Sequence, residues 1–173
     1  GSIAALVMVR PAWRGALAVA VACGIVLGWW LTIAPRNDRL WSSDVAELLT
    51  AEINGDLLTI HNVRNFEYRS DTDFTPRWET RAYDLTKIQG LDLFLSYWGP
   101  RAIAHTILSW QFEGAPPLAI SIETRKEQGE EYSAVRGFFR QFELYYVVAD
   151  ERDVVRVRTN VRGEDVYLYR LRT

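Results

Sequence analysis

The strongest indication of the fold lies in residues 102–125, which read AIAHTILSWQFEGAPPLAISIETR. Two apolar runs, residues 103–112 and 118–125, flank a turn-forming segment at residues 114–117. Runs of this length separated by Gly and Pro predict two β-strands. If the strands are neighbours in a sheet, His105 of the first comes to face Ser121, Glu123 and Arg125 of the second.

The same kind of pattern continues through the rest of residues 51–173. Further strands are predicted at residues 57–66, 79–83, 91–98, 143–149 and 166–171. Asn54-Gly55-Asp56 is a strong hairpin signal ahead of the first of them. Helices are predicted at residues 132–142, capped by Ser133, and at the shorter stretches 44–50 and 150–159. Together these elements predict an α+β fold, a mainly antiparallel sheet with a few short helices.

An uncharged apolar segment precedes this domain. Residues 16–33 contain no Asp, Glu, Lys or Arg, and as a helix they would span about 27 Å, enough to cross a bilayer. Trp29 and Trp30 lie near the end of the segment, where aromatic residues favour the membrane interface, and Pro35 follows. The segment therefore predicts a transmembrane helix. A signal-peptide core and a buried helix are the alternatives.

The arginines before this helix predict its orientation. Arg10 and Arg14 fall in a loop at residues 10–15, which the positive-inside rule places in the cytoplasm. A stalk at residues 34–50 and the α+β domain would then lie outside the cytoplasm. The apolar residues 1–9 are interpreted as the end of an earlier membrane helix, so the chain is expected to be a piece of a longer protein.

The composition excludes several classes of function. Lys and Arg total 20 against 22 Asp and Glu, without a basic stripe, which excludes nucleic acid as a partner. Cys23 is the only cysteine and lies inside the apolar segment, so neither a disulfide within the domain nor a Cys-rich metal site is expected. Two histidines without a third ligand at metal spacing argue against zinc. No cofactor is predicted.

The candidate catalytic residues are His105 and Glu123. A carboxylate that faces a histidine across two strands can orient the imidazole and stabilise its charged form, which is what the general base of a nucleophile requires. The alternative is a core histidine satisfied by one hydrogen bond. Both interpretations stay open on the pattern alone.

Two other stretches of the sequence, residues 60–66 and 150–158, are rich in polar side chains. Residues 60–66 place several donors close together that could bind an anionic head group or peptide carbonyls, namely His61, Asn62, Arg64 and Asn65. The alternative is ordinary polarity at the end of a hairpin. The charged run at residues 150–153, with Arg156 and Arg158, is interpreted as a solvated, salt-bridged face.

Several short segments carry a family resemblance in combination. They are PRNDRLW (35–41), IHNVRNFEY (60–68), YW (97–98), AHT (104–106), SIETR (121–125) and VYLYR (166–170). With these segments the chain resembles the Lnb N-terminal periplasmic domain family over residues 35–173. The resemblance implies a bacterial inner-membrane protein whose α+β domain, residues 51–173, lies in the periplasm.

The resemblance also implies an activity. Relatives include a lipoprotein N-acyltransferase, and the family pattern continues into an Asn-Cys-Thr-Thr motif whose cysteine resembles a nucleophile. The order of histidine strand, polar partner and later cysteine is similar to circularly permuted papain-like acyltransferases, by analogy. His105 would then be the base, Glu123 its orienter, and His61, Arg64 and Arg125 contacts to lipid phosphate or to site residues.

The partners implied are a membrane lipid and a lipoprotein substrate. Because the cysteine motif would follow Thr173, the domain is expected to be incomplete at its C-terminus and inactive as given. Two alternatives stay open. A thiol peptidase would use the same pair on a peptide bond, and a noncatalytic binding domain would not need His105 at all.

Overall fold

The computed structural model describes residues 12–99 and 101–171, apart from the side chain of Ala134. The interpretation of residues 1–9 therefore lies outside the described residues. The chain divides into two compact units. One contains Gly1–Arg39 and Glu131–Glu143, and the other contains Leu40–Glu130 and Leu144–Thr173.

Helix α1 (Ala12–Thr32) is the main element of the first unit. Its 21 residues rise about 31 Å, and with a mean hydropathy of 1.9 it is long and apolar enough to cross a membrane, as predicted. Arg14, assigned from the sequence to a loop, lies in the first turns of this helix. A helix this apolar is unsuited to a surface position in water.

A short helix, α2 (Ala134–Phe138), belongs to the same unit. Ser133 caps it as predicted, its side chain accepting a hydrogen bond from the Arg136 N–H at 3.3 Å. The predicted extent, residues 132–142, is wrong because the helix ends at Phe138. Gly137 weakens its last turn, and Arg140 has a left-handed backbone at φ 53° that no helix can continue through.

The second unit is built on one sheet of eight strands. These are β1 (Thr50–Asn54), β2 (Leu57–Arg64), β5 (Trp78–Asp84), β6 (Ile88–Tyr97), β7 (His105–Phe112), β8 (Ala115–Arg125), β9 (Glu143–Ala149) and β10 (Asp165–Leu171). Their order is β1-β2-β9-β8-β7-β6-β10, with β5 also paired to β2. Strands β3 (Glu67–Tyr68) and β4 (Phe74–Thr75) form a separate small ribbon. Apart from a single parallel bridge between β2 and β9, the registered pairs are antiparallel, which confirms the predicted α+β fold.

The first hairpin forms where the turn chemistry predicted it. Asn54 pairs with Leu57, so the loop consists of Gly55 and Asp56, and Gly55 adopts φ +60°. Such a two-residue turn needs a left-handed residue, which glycine adopts without a steric penalty. Further along β2 the register shifts between Ile60 and Val63, and Asn62 lies in the left-handed region at this bulge.

Two apolar clusters hold the sheet. One contains Val45, Phe94, Ile107, Ala119, Tyr145, Val147, Ala149 and Val154. This cluster lies on the packed face of the central strands, and Val154 of the short helix α3 (Glu151–Val154) packs into it. The other contains Ile60, Val63, Tyr83, Phe112, Leu118 and Val148. Removal of this apolar surface from water is the main force that holds the unit together.

The helix predicted at residues 44–50 is wrong, because the segment forms turns and extended chain. The Arg64 guanidinium donates to the Asp44 carbonyl at 3.2 Å, and Arg125 donates to the carbonyls of Val45 at 3.0 Å and Ala46 at 2.7 Å. In a helix these carbonyls would accept backbone N–H groups. Two buried arginines from the sheet therefore replace the helical hydrogen bonds.

Residues 150–159 form helical structure close to the prediction. Asp150 caps α3 by accepting from the Arg152 N–H at 3.1 Å, and a π-helical turn follows at Val157–Val161. The turn places Arg158 over the sheet, where Val157 is buried beside it. The local cap was therefore predictable, and the packing of the segment that follows it was not.

Candidate functional site

The candidate site lies where strands β6, β7 and β8 run side by side. Ser96 of β6 is the register partner of His105 on β7, and Ile107 of β7 is the partner of Ser121 on β8. Because alternate residues of a strand share one face, His105, Ser121 and Glu123 all lie on the packed face of the sheet. His105 is the first residue of β7, so the imidazole sits at the end of its strand.

His105 is bonded to both predicted neighbours through one ring nitrogen. Its Nε2 is 2.7 Å from Ser121 Oγ and 3.1 Å from Glu123 Oε1, and the Ser121 hydroxyl donates to the same Glu123 oxygen at 2.8 Å. An ionised carboxylate oxygen only accepts, so the 3.1 Å contact with Glu123 favours the tautomer that carries the ring proton on Nε2. The predicted pairing of His105 with Glu123 across the strands is thus observed.

A second carboxylate and an arginine extend the site. Arg158 donates to Glu123 Oε1 at 2.8 Å and forms an ion pair with Glu164 Oε2 at 3.3 Å. The Ser96 hydroxyl bonds the same Glu164 oxygen, and Ser96 is fully buried. The Arg158 guanidinium therefore links the carboxylates of Glu123 and Glu164 in one polar network on the packed face of the sheet.

Glu123 is held as a carboxylate by this network. Burial raises its pKa, but the hydrogen bond from His105, the charge of Arg158 and the hydrogen bond from Ser121 outweigh that effect. The pKa of Glu123 consequently lies well below its ordinary value. A permanent negative charge at this position favours a proton on Nε2 and leaves the other ring nitrogen as the acceptor.

The opposite nitrogen of the imidazole, Nδ1, has no hydrogen-bond partner within residues 12–99 and 101–171. The His105 side chain is 14% exposed, and the exposed Trp98 lies beside it with ring centroids 6.3 Å apart. A basic nitrogen at a partly open edge, with its other nitrogen fixed by a carboxylate, can take a proton from a group that approaches from outside.

His61 and Asn62 are not brought to His105. They lie on β2, which β9 and β8 separate from β7 in the order of the sheet. The His61 Nδ1 atom is 3.0 Å from the Thr80 hydroxyl, and the Asn62 amide donates to the Leu48 carbonyl at 2.8 Å. Both are half-buried. Their predicted role in substrate binding remains a prediction.

Arg64 and Arg125 are buried, and both contact the chain around residue 45. Besides their carbonyl bonds, Arg64 pairs with Asp153 at 2.9 Å and Arg125 lies over the Trp41 ring at 4.2 Å. Burial lowers the pKa of Arg64, but the charge of Asp153 outweighs it and raises that pKa above its usual range. The contacts described for these two guanidiniums are all within the domain.

The interpretation of residues 150–158 as a solvated face is wrong for two of its members. Asp153 is fully buried and Arg158 is 6% exposed. The sequence pattern did not indicate Arg158, Glu164 and Ser96 as parts of the site. Arg158 belongs to a charged run that resembles an exposed surface. The signal that was present is Val154 and Val157, apolar residues at helical spacing that turn this segment toward the core.

The site contains no obvious place for a metal. Within the described part of the chain, no three His, Cys, Asp or Glu side chains converge. Cys23 belongs to α1, the apolar helix. The geometry at His105 itself is that of an imidazole fixed by a carboxylate, which is an arrangement suited to proton transfer.

Comparison with family models identifies the family of this domain. A family model described as the Lnb N-terminal periplasmic domain matches residues 74–173, more than half of the chain, and this span includes β7, β8 and all the residues of the polar network. Comparisons with curated proteins and with solved structures returned no match.

Proposed function

Because the chain belongs to the Lnb N-terminal periplasmic domain family, we propose that it is the membrane-anchored histidine-bearing domain of a thiol-dependent acyltransferase acting on lipoproteins or membrane lipids. Its helix α1 would lie in the bacterial inner membrane, with the sheet domain in the periplasm. The family and the apolar helix support the anchored periplasmic domain, and the geometry of His105 supports the chemistry.

One observation carries this proposal. Glu123 and Ser121 hold His105 by Nε2 alone, at 3.1 Å and 2.7 Å, and leave Nδ1 without a hydrogen-bond partner among the described residues, in a side chain that is 14% exposed. A histidine kept only for packing has no need of a partly buried carboxylate that an arginine holds in its ionised form. A general base needs this arrangement, because the fixed charge stabilises the imidazolium that forms when Nδ1 takes a proton.

The proposed reaction has two halves. A cysteine thiol supplied by the segment that the family resemblance implies after residue 173 gives its proton to Nδ1, and the thiolate attacks the ester carbonyl of a phospholipid. The ester C–O bond breaks, the leaving alkoxide takes the proton from the imidazolium, and the acyl group remains as a thioester. An α-amino group then attacks the thioester, and the C–S bond breaks. Nδ1 takes the amine proton and returns it to the departing thiolate.

In this scheme His105 is the catalytic residue and Glu123 is a positioning residue. Arg158 and Glu164 fix Glu123, and Ser96 fixes Glu164. Arg64 and Arg125 support the domain through the chain at residues 44–46, while His61 and Asn62 are candidates for contacts with the head group or peptide. Membrane lipid is the acyl donor, and a lipoprotein is the acceptor.

The test compares two substitutions of His105 in the full-length protein. Glutamine can still donate a hydrogen bond to Glu123 but cannot accept a proton as a base, whereas alanine removes both functions. We expect His105→Gln and His105→Ala each to lower acyl transfer from a labelled phospholipid to a lipopeptide by about 10²–10⁴-fold. Thr106→Ala is the matched control, because Thr106 is the exposed neighbour on the same strand.

The split between kcat and KM separates base catalysis from a purely structural role. Glu123→Gln should lower kcat and leave the KM for the phospholipid unchanged, because the lost carboxylate charge opposes the imidazolium only after Nδ1 has taken a proton. If His105→Gln folds and transfers acyl groups at the rate of the Thr106→Ala control, His105 is not the base. The domain would then have to work through binding alone.

A further inference from the structure

The segment 131–143, called here the interfacial segment, is held against the last turn of α1. The Trp30 indole N–H donates to the Phe138 carbonyl at 3.2 Å, and the rings of Trp29 and Phe139 lie 6.1 Å apart. These contacts join residues more than 100 positions apart within one compact unit. The interfacial segment therefore lies at the same level as the two tryptophans.

The interfacial segment exposes large apolar side chains. Val135 is 69% exposed and Phe138 is 75% exposed, and their spacing of three residues places them on one side of α2. Tyr132 is 60% exposed, and its ring stacks on the ring of Phe142. A single exposed apolar residue needs no explanation, but these three lie within seven residues of one segment that contacts the apolar helix α1.

Arg140 gives the interfacial segment a cation at the same level. Its guanidinium lies 3.5 Å from the centre of the Trp30 ring, and its backbone takes the strained φ of 53°. Its side chain is exposed and has no hydrogen-bond acceptor within residues 12–99 and 101–171. An arginine stacked on an interfacial tryptophan with its donors unused suits the phosphate level of a bilayer.

The position of α1 determines what lies around this segment. A helix of 21 residues is about as long as the hydrocarbon core is thick, so Trp29 and Trp30 in its last turn fall at the membrane–water boundary. Residues bonded to Trp30 must then lie at that boundary too. Lipid there would cover the apolar side chains that water would otherwise surround.

We propose that the interfacial segment is a second membrane contact, in which Val135 and Phe138 enter the lipid boundary and Arg140 meets phospholipid phosphate. The partner is the lipid bilayer itself. This inference requires α1 to be in the membrane but is independent of any chemistry at His105, so loss of catalysis in His105 variants leaves it untouched.

The test places an environment-sensitive fluorophore at single cysteines of the full chain. In a Cys23→Ser background, Val135→Cys and Phe138→Cys are labelled and the chain is reconstituted in vesicles of phosphatidylethanolamine and phosphatidylglycerol. Ile53→Cys is the matched control, because Ile53 is 67% exposed on β1. The unmodified chain labelled at Cys23, in the middle of α1, is the positive control. Lipids that carry a spin label high on the acyl chain, for positions 135 and 138, and lipids that carry it near the end of the chain, for Cys23, then report lipid contact.

We expect blue-shifted emission and quenching by the spin-labelled lipid at positions 135 and 138, as at Cys23, with neither effect at position 53. Iodide in the water should quench position 53 alone. Quenching of positions 135 and 138 by iodide, as at 53, would overturn the proposal. Protection from both quenchers would overturn it as well, because protein would then cover the surface. If spin-labelled lipid does not quench the label at Cys23, α1 is not inserted in the membrane. The proposal would then be overturned, because it requires that insertion.

Discussion

The buried pair of Arg64 and Asp153 allows a quantitative prediction for Asp153→Asn. Asp153 is fully buried and accepts from Arg64 Nε at 3.0 Å and from the Phe66 N–H at 2.7 Å. Asparagine keeps the shape but removes the charge, and its amide N–H₂ must face one of these two donors. The Arg64 guanidinium then remains buried without a counter-ion.

The expected cost follows from that uncompensated charge. Breaking a buried ion pair by changing one partner lowers the free energy of unfolding by about 3–5 kcal/mol. With a urea dependence of about 2 kcal/mol per molar, the unfolding midpoint falls by about 2 M. This is a large part of the total stability of a typical domain, which is about 5–15 kcal/mol.

The assay is urea unfolding of the full chain in mild detergent, followed by circular dichroism. Asp73→Asn is the matched control, because Asp73 makes an exposed ion pair with Arg69 and its loss should leave the midpoint unchanged. If Asp153→Asn lowers the midpoint no more than Asp73→Asn does, the Arg64 charge is not buried as described. In that case Arg64 would not hold the Asp44 carbonyl as a buried, ion-paired side chain.

Two further predictions concern the site and its support. Because the pKa of Glu123 is lowered on folding, its contribution to stability is fully present above about pH 4.5, the ordinary carboxyl range, and is lost as the pH falls through the lowered pKa. The free energy of unfolding should therefore fall less between neutral and acidic pH in Glu123→Gln than in the parent chain, whereas Glu52→Gln on β1 should leave this pH dependence unchanged. Equal pH dependences in the two variants would contradict the prediction. Arg125→Lys should speed hydrogen exchange and proteolytic cleavage at residues 44–48, because one ammonium cannot reproduce the two carbonyl bonds and the stacking on Trp41. Unchanged protection, measured by mass spectrometry against an Arg77→Lys control, would show that these contacts do not hold the segment.

Local signals in the sequence predicted the elements that local chemistry determines. The hairpin at Gly55, the cap at Ser133 and the alternating strands around His105 depend on neighbouring residues, and all are present. The facing of His105 and Glu123 also followed, since two adjacent strands and their register were enough. The predicted catalytic role of this pair stays a prediction.

Contacts between distant residues could not be read in the same way. The segment at residues 44–50 has a helical pattern, but arginines from β2 and β8 take its carbonyls. The polar run ending at Arg158 resembles a surface until β8 supplies Glu123 and the loop before β10 supplies Glu164 as partners of Arg158. Neither effect is encoded in spacing, because each depends on which strands come to lie beside each other, such as β9 beside β2.

The hydrogen bonds from Arg64 and Arg125 to residues 44–46 also have a mechanical consequence. These carbonyls lie between the membrane anchor and β1, the first strand of the sheet. Tension that arrives along the chain from α1 therefore meets three hydrogen bonds from two side chains rooted in the sheet before it can peel β1 from β2. Because the three bonds share one short stretch of chain, they bear such a load together. Arg64 and Arg125 thus attach the chain just before β1 to the sheet through their side chains.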